Sequence, residues 1–375
     1  MSFIDTSTIE ALPAPVWFIL FFKTLGFVLH SALMNLWLAA FPIALWFIRR
    51  DRTEGKLWAS RQLRQMPFII TFGVNFGIVP LLFIQVLYPR VFYPATILMA
   101  WFWILIIVLL VPAYYGAYVC AFGLPKNTQR LARWRYLFGA LSALFFVLIG
   151  FIFTNGLTLV SRPDSWGEIW LSHSTAGASV GTGSALGEAI LLPRFLLTLG
   201  LALGTTAAWA LLDRALFMKE ISPAYRQWSN RFALVLSLAS ILVYSSAFVW
   251  YLFAQKKEVV ETLLGSAGLP FTLAAFASPF VLFVAVLLNV RLGAVRFPRL
   301  LGTLPFVVQI FSLGTNAIWR QGIQIRELSP WLPLSSMRVG GETWPAVLFL
   351  ATFVVGVGVI VWMLFAAIRC RDVKN

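Results

Sequence analysis

In a chain of 375 residues, 60% hydrophobic and 11% charged with a mean hydropathy of +0.85, the apolar surface exceeds what a soluble core can bury, so a soluble domain is excluded. The formal net charge of +15 could suit nucleic acid. However, the Lys and Arg residues sit at the ends of apolar stretches, where they set membrane orientation and meet anionic headgroups, so no nucleic-acid partner is expected.

Nine apolar stretches follow in chain order: 16–48, 67–88, 94–122, 136–160, 193–212, 232–253, 270–290, 300–319 and 344–368. Each is long enough to carry its backbone across about 30 Å of hydrocarbon as a helix, which needs about 20 residues. Of the 29 Lys and Arg, 20 fall on one face, 8 on the other, and Lys23 lies within the first stretch. Arg49, Arg50, Arg52, Lys56, Arg61 and Arg64 follow stretch one, and Lys126, Arg130, Arg133 and Arg135 follow stretch three. The positive-inside rule then puts the N-terminus outside and the C-terminus, with Arg369, Arg371 and Lys374, in the cytoplasm. The fold class is an all-α polytopic bundle, one transmembrane domain over residues 1–375, with external segments 161–192 and 321–343 and no separate soluble domain. Asp5 and Glu10 precede a stretch too long for a signal peptide, which reads as an uncleaved anchor. Cys120 and Cys370 fall at cytoplasmic ends, where thiols stay reduced; neither belongs to a Cys-x-x-Cys-His run.

Stretch one has 33 residues, a helix of about 50 Å, so part of it must tilt or protrude. Counting back from Arg49 places His30 near the outer surface and Lys23 beyond the lipid with Trp17, Phe18, Phe21 and Phe22, an apolar extension that requires a protein partner. Lys23, His30 and Met34, seven and four apart, share one helix face. His30 reads either as a hydrogen-bond partner of a neighbouring helix or as an axial ligand to haem iron, with Met34 as gap filler or as part of the haem surroundings. His173 lies in the Ser/Gly/Ala-rich segment 172–187, which reads as solvated linker. Further polar residues share the outer half: Gln85 ends stretch two, Asn155 ends stretch four, and Asn316, Arg320, Gln321 and Glu327 mark the end of stretch eight, while Asn75 lies deeper and Met99 opens stretch three. Individually each reads as an interhelical hydrogen bond of about 1 kcal/mol.

Five segments in order resemble subunit I of the cytochrome bd-type quinol oxidases, a nine-span family with its N-terminus outside. They are Leu29-His30 in stretch one, Phe72-Gly73-Val74-Asn75-Phe76 in stretch two, Leu98-Met99-Ala100 in stretch three, Asn155-Gly156 in stretch four, and Arg320 to Glu327 after stretch eight, similar to the family's Gly-Arg-Gln-Pro-Trp signature. The resemblance implies a bacterial inner membrane and a histidine at position 30 that ligates a high-spin haem, with Met34 and Met99 in its surroundings. Departures are equally ordered. Leu197 stands where the family has its low-spin haem histidine, stretch seven has no methionine, Thr96 and Ile104 stand for the family's glutamates, and the quinol loop is reduced to residues 254–269. The resemblance therefore implies an integral membrane subunit of a multisubunit respiratory electron-transfer complex, not a complete oxidase by itself. It would carry at most one b-type haem and have membrane subunits, lipids and c-type cytochromes on its outer face as partners. The alternatives are a small-solute or ion transporter or channel, and a cofactor-free structural anchor. The first is weighed down by a lack of bundle carboxylates, with Asp213 borderline.

Overall fold

The structure, a computed structural model, describes residues 11–50, 53–124, 131–293, 298–341 and 343–372. Asp5, Glu10, Arg52, Lys126, Arg130, Arg296 and Lys374 lie outside the described residues, as do the side chains of Arg369, Cys370 and Arg371.

Apolar sequence with no water to satisfy its backbone must become helix, and the chain obeys: α1 (Val16–Asn35), α2 (Phe41–Ile48), α3 (Thr53–Leu87), α4 (Pro89–Leu98), α5 (Ala100–Phe122), α6 (Arg133–Ser161), α7 (Trp166–Ser172), α8 (Leu191–Phe217), α9 (Pro223–Phe253), α10 (Lys257–Leu264), α11 (Leu269–Leu292), α12 (Pro298–Leu328) and α13 (Trp344–Asp372). Among the described residues, eight helical segments are long and apolar enough to cross a bilayer, and α13 is the ninth expected. The only strands among them are the two-residue pair β1 (Ser174–Thr175) and β2 (Ala178–Ser179). The all-α polytopic bundle is thus what the sequence led us to expect.

Several boundaries differ from those read off hydropathy, each for a physical reason. A five-residue π-helical turn, Leu36–Ala40, joins α1 to α2 inside stretch one. Pro42 has no N–H for the carbonyl of Leu38 and its ring crowds that carbonyl, and the wider turn just before it absorbs the misfit. α3 begins at Thr53, so Lys56, Arg61 and Arg64 ride on helix rather than loop. α12 likewise runs on to Leu328, so Gln321 and Glu327 belong to its last turns and not to an external loop. Stretch three breaks between α4 and α5 at Met99, whose φ of −111° and ψ of 31° leave the helical region.

Segment 172–187 is a correction to the linker reading. It folds over the break: Gly183 N–H donates to Leu98 O at 2.8 Å and Trp101 N–H donates to Gly181 O at 3.1 Å, so the broken helix regains the partners it lost. Within it, Ala185 is fully buried. A second correction concerns the apolar start of α1. Its cover includes the chain's own C-terminal helix: Phe18 and Phe22 meet Phe349 edge-on, Phe22 also meets Phe353, and Leu12 forms a parallel bridge with Val339. Trp17 and Phe21 stay exposed. An apolar slot of about 220 Å³ remains between Phe18, Ile19, Phe83, Pro345 and Phe349.

Candidate functional site

His30 sits where α1 crosses α3. Gly73 and Gly77, four apart on α3, remove side chains from the crossing and let the rings of α1 lie against its backbone. The His30 Nδ1–H donates to Gly73 O at 2.7 Å, and its ring stands edge-on to Trp37 at 5.8 Å. A Cβ on Gly77 would come within 2.7 Å of that nitrogen. Donation from Nδ1 fixes the tautomer and leaves the lone pair on Nε2.

The face shared by Lys23, His30 and Met34 is real, but it straddles a seam, and the three side chains reach different neighbours. His30 turns to α3. Met34 lines a gap of about 10 Å³, about one water in size, together with Phe27, Ser31, Asn35, Asn316 and Arg320 from α1 and α12, and Thr198 from α8. Lys23 does not project beyond the bundle: it is 8% exposed, donates to Gln321 Oε1 at 2.6 Å and to Gln324 Oε1, and lies 5.7 Å from the Tyr88 ring centroid. Arg320 stands over the Phe27 ring at 5.2 Å.

Below them the seam continues as hydrogen bonds across helices. Asn316 accepts from Tyr244 and donates to Ser278 Oγ at 3.1 Å and Ser312 O at 2.9 Å. Deeper still, Thr205 Oγ receives both Asn35 Nδ2 and Gln309 Nε2, each at 2.9 Å. Gln309, Ser312, Asn316, Arg320 and Glu327 are spaced three, four, four and seven apart, so α12 carries one polar stripe along its inner face.

At the N-terminal end of the bundle the stripe meets a buried ion pair. Arg194 Nη2 lies 3.2 Å from Glu327 Oε2 and donates to Tyr251 Oη at 3.1 Å, while Nη1 donates to Leu157 O and Thr158 Oγ1. Gln255 donates to the other Glu327 oxygen at 3.0 Å and accepts from Arg162, which sits 3.5 Å from Glu188. Four helices, α6, α8, α9 and α12, are thereby tied to one carboxylate. Arg194, Tyr251, Arg162 and Gln255 had not been singled out as site residues, because their neighbours in sequence carry no recognisable motif. The one signal available was an arginine at the start of an apolar stretch.

The remaining expected residues lie apart. Gln85 accepts from Tyr93 Oη at 3.3 Å on the surface, and Asn155 Oδ1 accepts the Ala185 N–H at 3.0 Å, which pins the 172–187 segment. Met99 is fully buried against α6, where a Cβ on Gly156 would lie 3.1 Å from its sulfur. Hence Met99 packs apart from His30 and Met34, whereas Met34 packs against the cluster that holds Trp37, the ring neighbour of His30. Thr96 bonds its own helix and Ile104 faces outward. Leu197 is buried in a cluster with Tyr244, Phe248, Tyr251 and Trp319, of which Phe248 and Trp319 stack at 4.6 Å. Residues 254–269 include α10, whose Val259 and Leu263 plug the same cluster. Among the described residues no group of three or more His, Cys, Asp or Glu is placed to hold a metal ion.

No family model matches the chain, and no curated protein does. In fold, the chain is similar to a solved structure of bd oxidase from Geobacillus thermodenitrificans, with a TM-score of 0.62 and 13% sequence identity over 95% of this chain and 98% of that one. The likeness runs end to end.

Proposed function

We propose that the chain is an integral membrane subunit of a multisubunit respiratory electron-transfer complex, built on a bd-oxidase-like frame and relieved of most redox ligation. The observation that carries this reading is the end-to-end fold likeness to a bd oxidase, taken together with Leu197 inside an aromatic-filled interior. A leucine offers no lone pair, and the stacked Phe248 and Trp319 occupy the space beside it. Its role is then to hold partners in the membrane, c-type cytochromes docking at the N-terminal end where α7, α10 and segment 172–187 are presented.

At most one b-type haem belongs to this reading, with His30 as its ligand. The donor chemistry suits iron: a histidine whose Nδ1–H is held by a backbone carbonyl presents Nε2 in a fixed direction. The surroundings suit it poorly. The ring is wedged between the Gly73 and Gly77 backbone and Trp37, and Met99 packs elsewhere, against Gly156 of α6. No electron-transfer step is therefore routed through position 30, and the cofactor-free anchor is the form of the proposal that the packing favours.

A reduced-minus-oxidised spectrum of the purified chain separates the forms. The anchor form expects no haem band and co-purifying c-type cytochromes; a b-type band that vanishes in His30→Ala establishes the haem-retaining form. Ion-stimulated solute uptake by proteoliposomes holding the chain alone would overturn both in favour of a transporter.

A further inference from the structure

The seam between α1, α8 and α12 carries positive charge and spare donors without matching acceptors. Among the described residues, Lys23 donates to neutral amide oxygens, those of Gln321 and Gln324, beside the Tyr88 ring. Because it captures those oxygens, the amide NH2 groups are turned away from it, and Gln321 Nε2 is buried with no partner among the described residues. Ser31 Oγ and Ser312 Oγ are likewise buried and unpartnered. Arg320, a fork of five donors, has the Phe27 ring as its direct contact. The carboxylate that acts on it, Glu327, is already engaged by Arg194 and Gln255, and the other titratable groups around it are the cations Arg194 and Lys23 and the phenols Tyr244 and Tyr251. Ser31 and Arg320 face the same small gap, which alone holds no more than one water, but Arg320 is only half-buried, so a larger anion meets the guanidinium at its exposed part.

A surplus of cations and N–H donors at low dielectric is costly unless an anionic acceptor completes it. We propose that Arg320 is the core of an anion site, taking a phosphate-class oxyanion with Lys23 as the second positive charge, and that the phosphate is that of an anionic lipid headgroup. Depth argues for the lipid. α12 has 31 residues and spans about 46 Å, so about 8 Å protrudes at each end of a 30 Å core. Arg320, eight residues before Leu328 and so about 12 Å from the helix end, lies just inside the boundary where headgroup phosphates begin. The guanidinium's planar fork matches two phosphate oxygens, which an ammonium cannot do. The site is independent of the electron-transfer reading and stands or falls separately from it.

The full chain in nanodiscs of phosphatidylcholine is the material for the test, titrated with phosphatidylglycerol from vesicles or with inorganic phosphate, and read by thermal unfolding and by native mass spectrometry. The expected result is one phosphatidylglycerol retained per chain and a higher melting temperature. Arg320→Gln loses the retained lipid and weakens apparent binding at least tenfold, whereas the exposed Arg326→Gln binds as the parent does. Arg320→Lys, which preserves charge if Arg320→Gln does not fold, should bind weakly. An Arg320-dependent response to inorganic phosphate alone would keep the anion site and reassign its ligand to a free anion. Arg320→Gln binding phosphatidylglycerol as tightly as the parent, or a parent that responds to neither compound, overturns the proposal.

Discussion

Arg194 and Glu327 are 133 positions apart, and each alone would be an intolerable charge inside the bundle. Together they satisfy each other, with Tyr251, Thr158 and Gln255 taking the remaining valences. Removing one partner strands the other, so Arg194→Met or Glu327→Leu should each cost about 3–5 kcal/mol in unfolding free energy. The double replacement leaves no orphan charge and should recover a large part of that loss; a double variant as unstable as the sum of the singles would show that the pair is not what binds the four helices. Gly77 tests a second local claim. Gly77→Ala places a methyl 2.7 Å from His30 Nδ1, and either α3 or the imidazole must yield. A loss of about 1–3 kcal/mol is expected, together with loss of the His30–Gly73 hydrogen bond, visible as a changed imidazole ¹⁵N shift. None of this was legible one residue at a time. The sequence marks Glu327 as polar near a helix end and His30 as an unusual intramembrane group, but the partner of each lies on another helix, and long-range pairing leaves no local trace.

Helices were legible in existence and not in extent. Hydropathy reports where hydrocarbon is crossed, whereas a helix continues as long as its backbone bonds and side chains tolerate it. Thr53 to Met66 on α3 and Arg320 to Leu328 on α12 are helical but amphipathic, and a hydropathy threshold cuts them off. The break at Met99 was invisible for the opposite reason, since its flanks stay apolar throughout. What allows the break is the remote segment 172–187, whose composition suggested solvated linker because it is small and polar. Smallness is what its position requires: a Cβ on Gly183 would lie 2.9 Å from Leu98 O, and Gly181 has a φ of +77°. Gly183→Pro removes the N–H that Leu98 O accepts. Amide exchange at Trp101 should then accelerate, with protection in the middle of α6 unchanged. If the Trp101 amide exchanges as slowly as in the parent, the segment does not hold the break closed.

At the scale of the whole molecule, the fold sorts the basic helix ends from the rest of the chain. The basic helix ends gather on the face holding the turns after α2, α5, α8 and α11, and the opposite face carries Leu12, α7, β1, β2 and α10. Both buried polar clusters respect that division: Arg194 and Glu327 lie toward the sparse face, whereas Arg61 grips Asp213 at 2.7 Å and Arg214 bonds Asn289 at 2.9 Å toward the basic one. The same arginines therefore serve stability and cannot be counted only as topogenic signals, which makes a direct measurement of orientation worthwhile. In a chain with Cys120 and Cys370 replaced by serine, single cysteines at two exposed positions decide it: Ala178→Cys in the hairpin and Glu220→Cys in the turn after α8. The positive-inside rule requires an impermeant maleimide to label position 178 in intact cells and position 220 only after permeabilisation. The reverse pattern would put the basic face outside, move the surface offered to c-type cytochromes into the cytoplasm, and so remove the docking role proposed for the N-terminal end while leaving the helical bundle as it is.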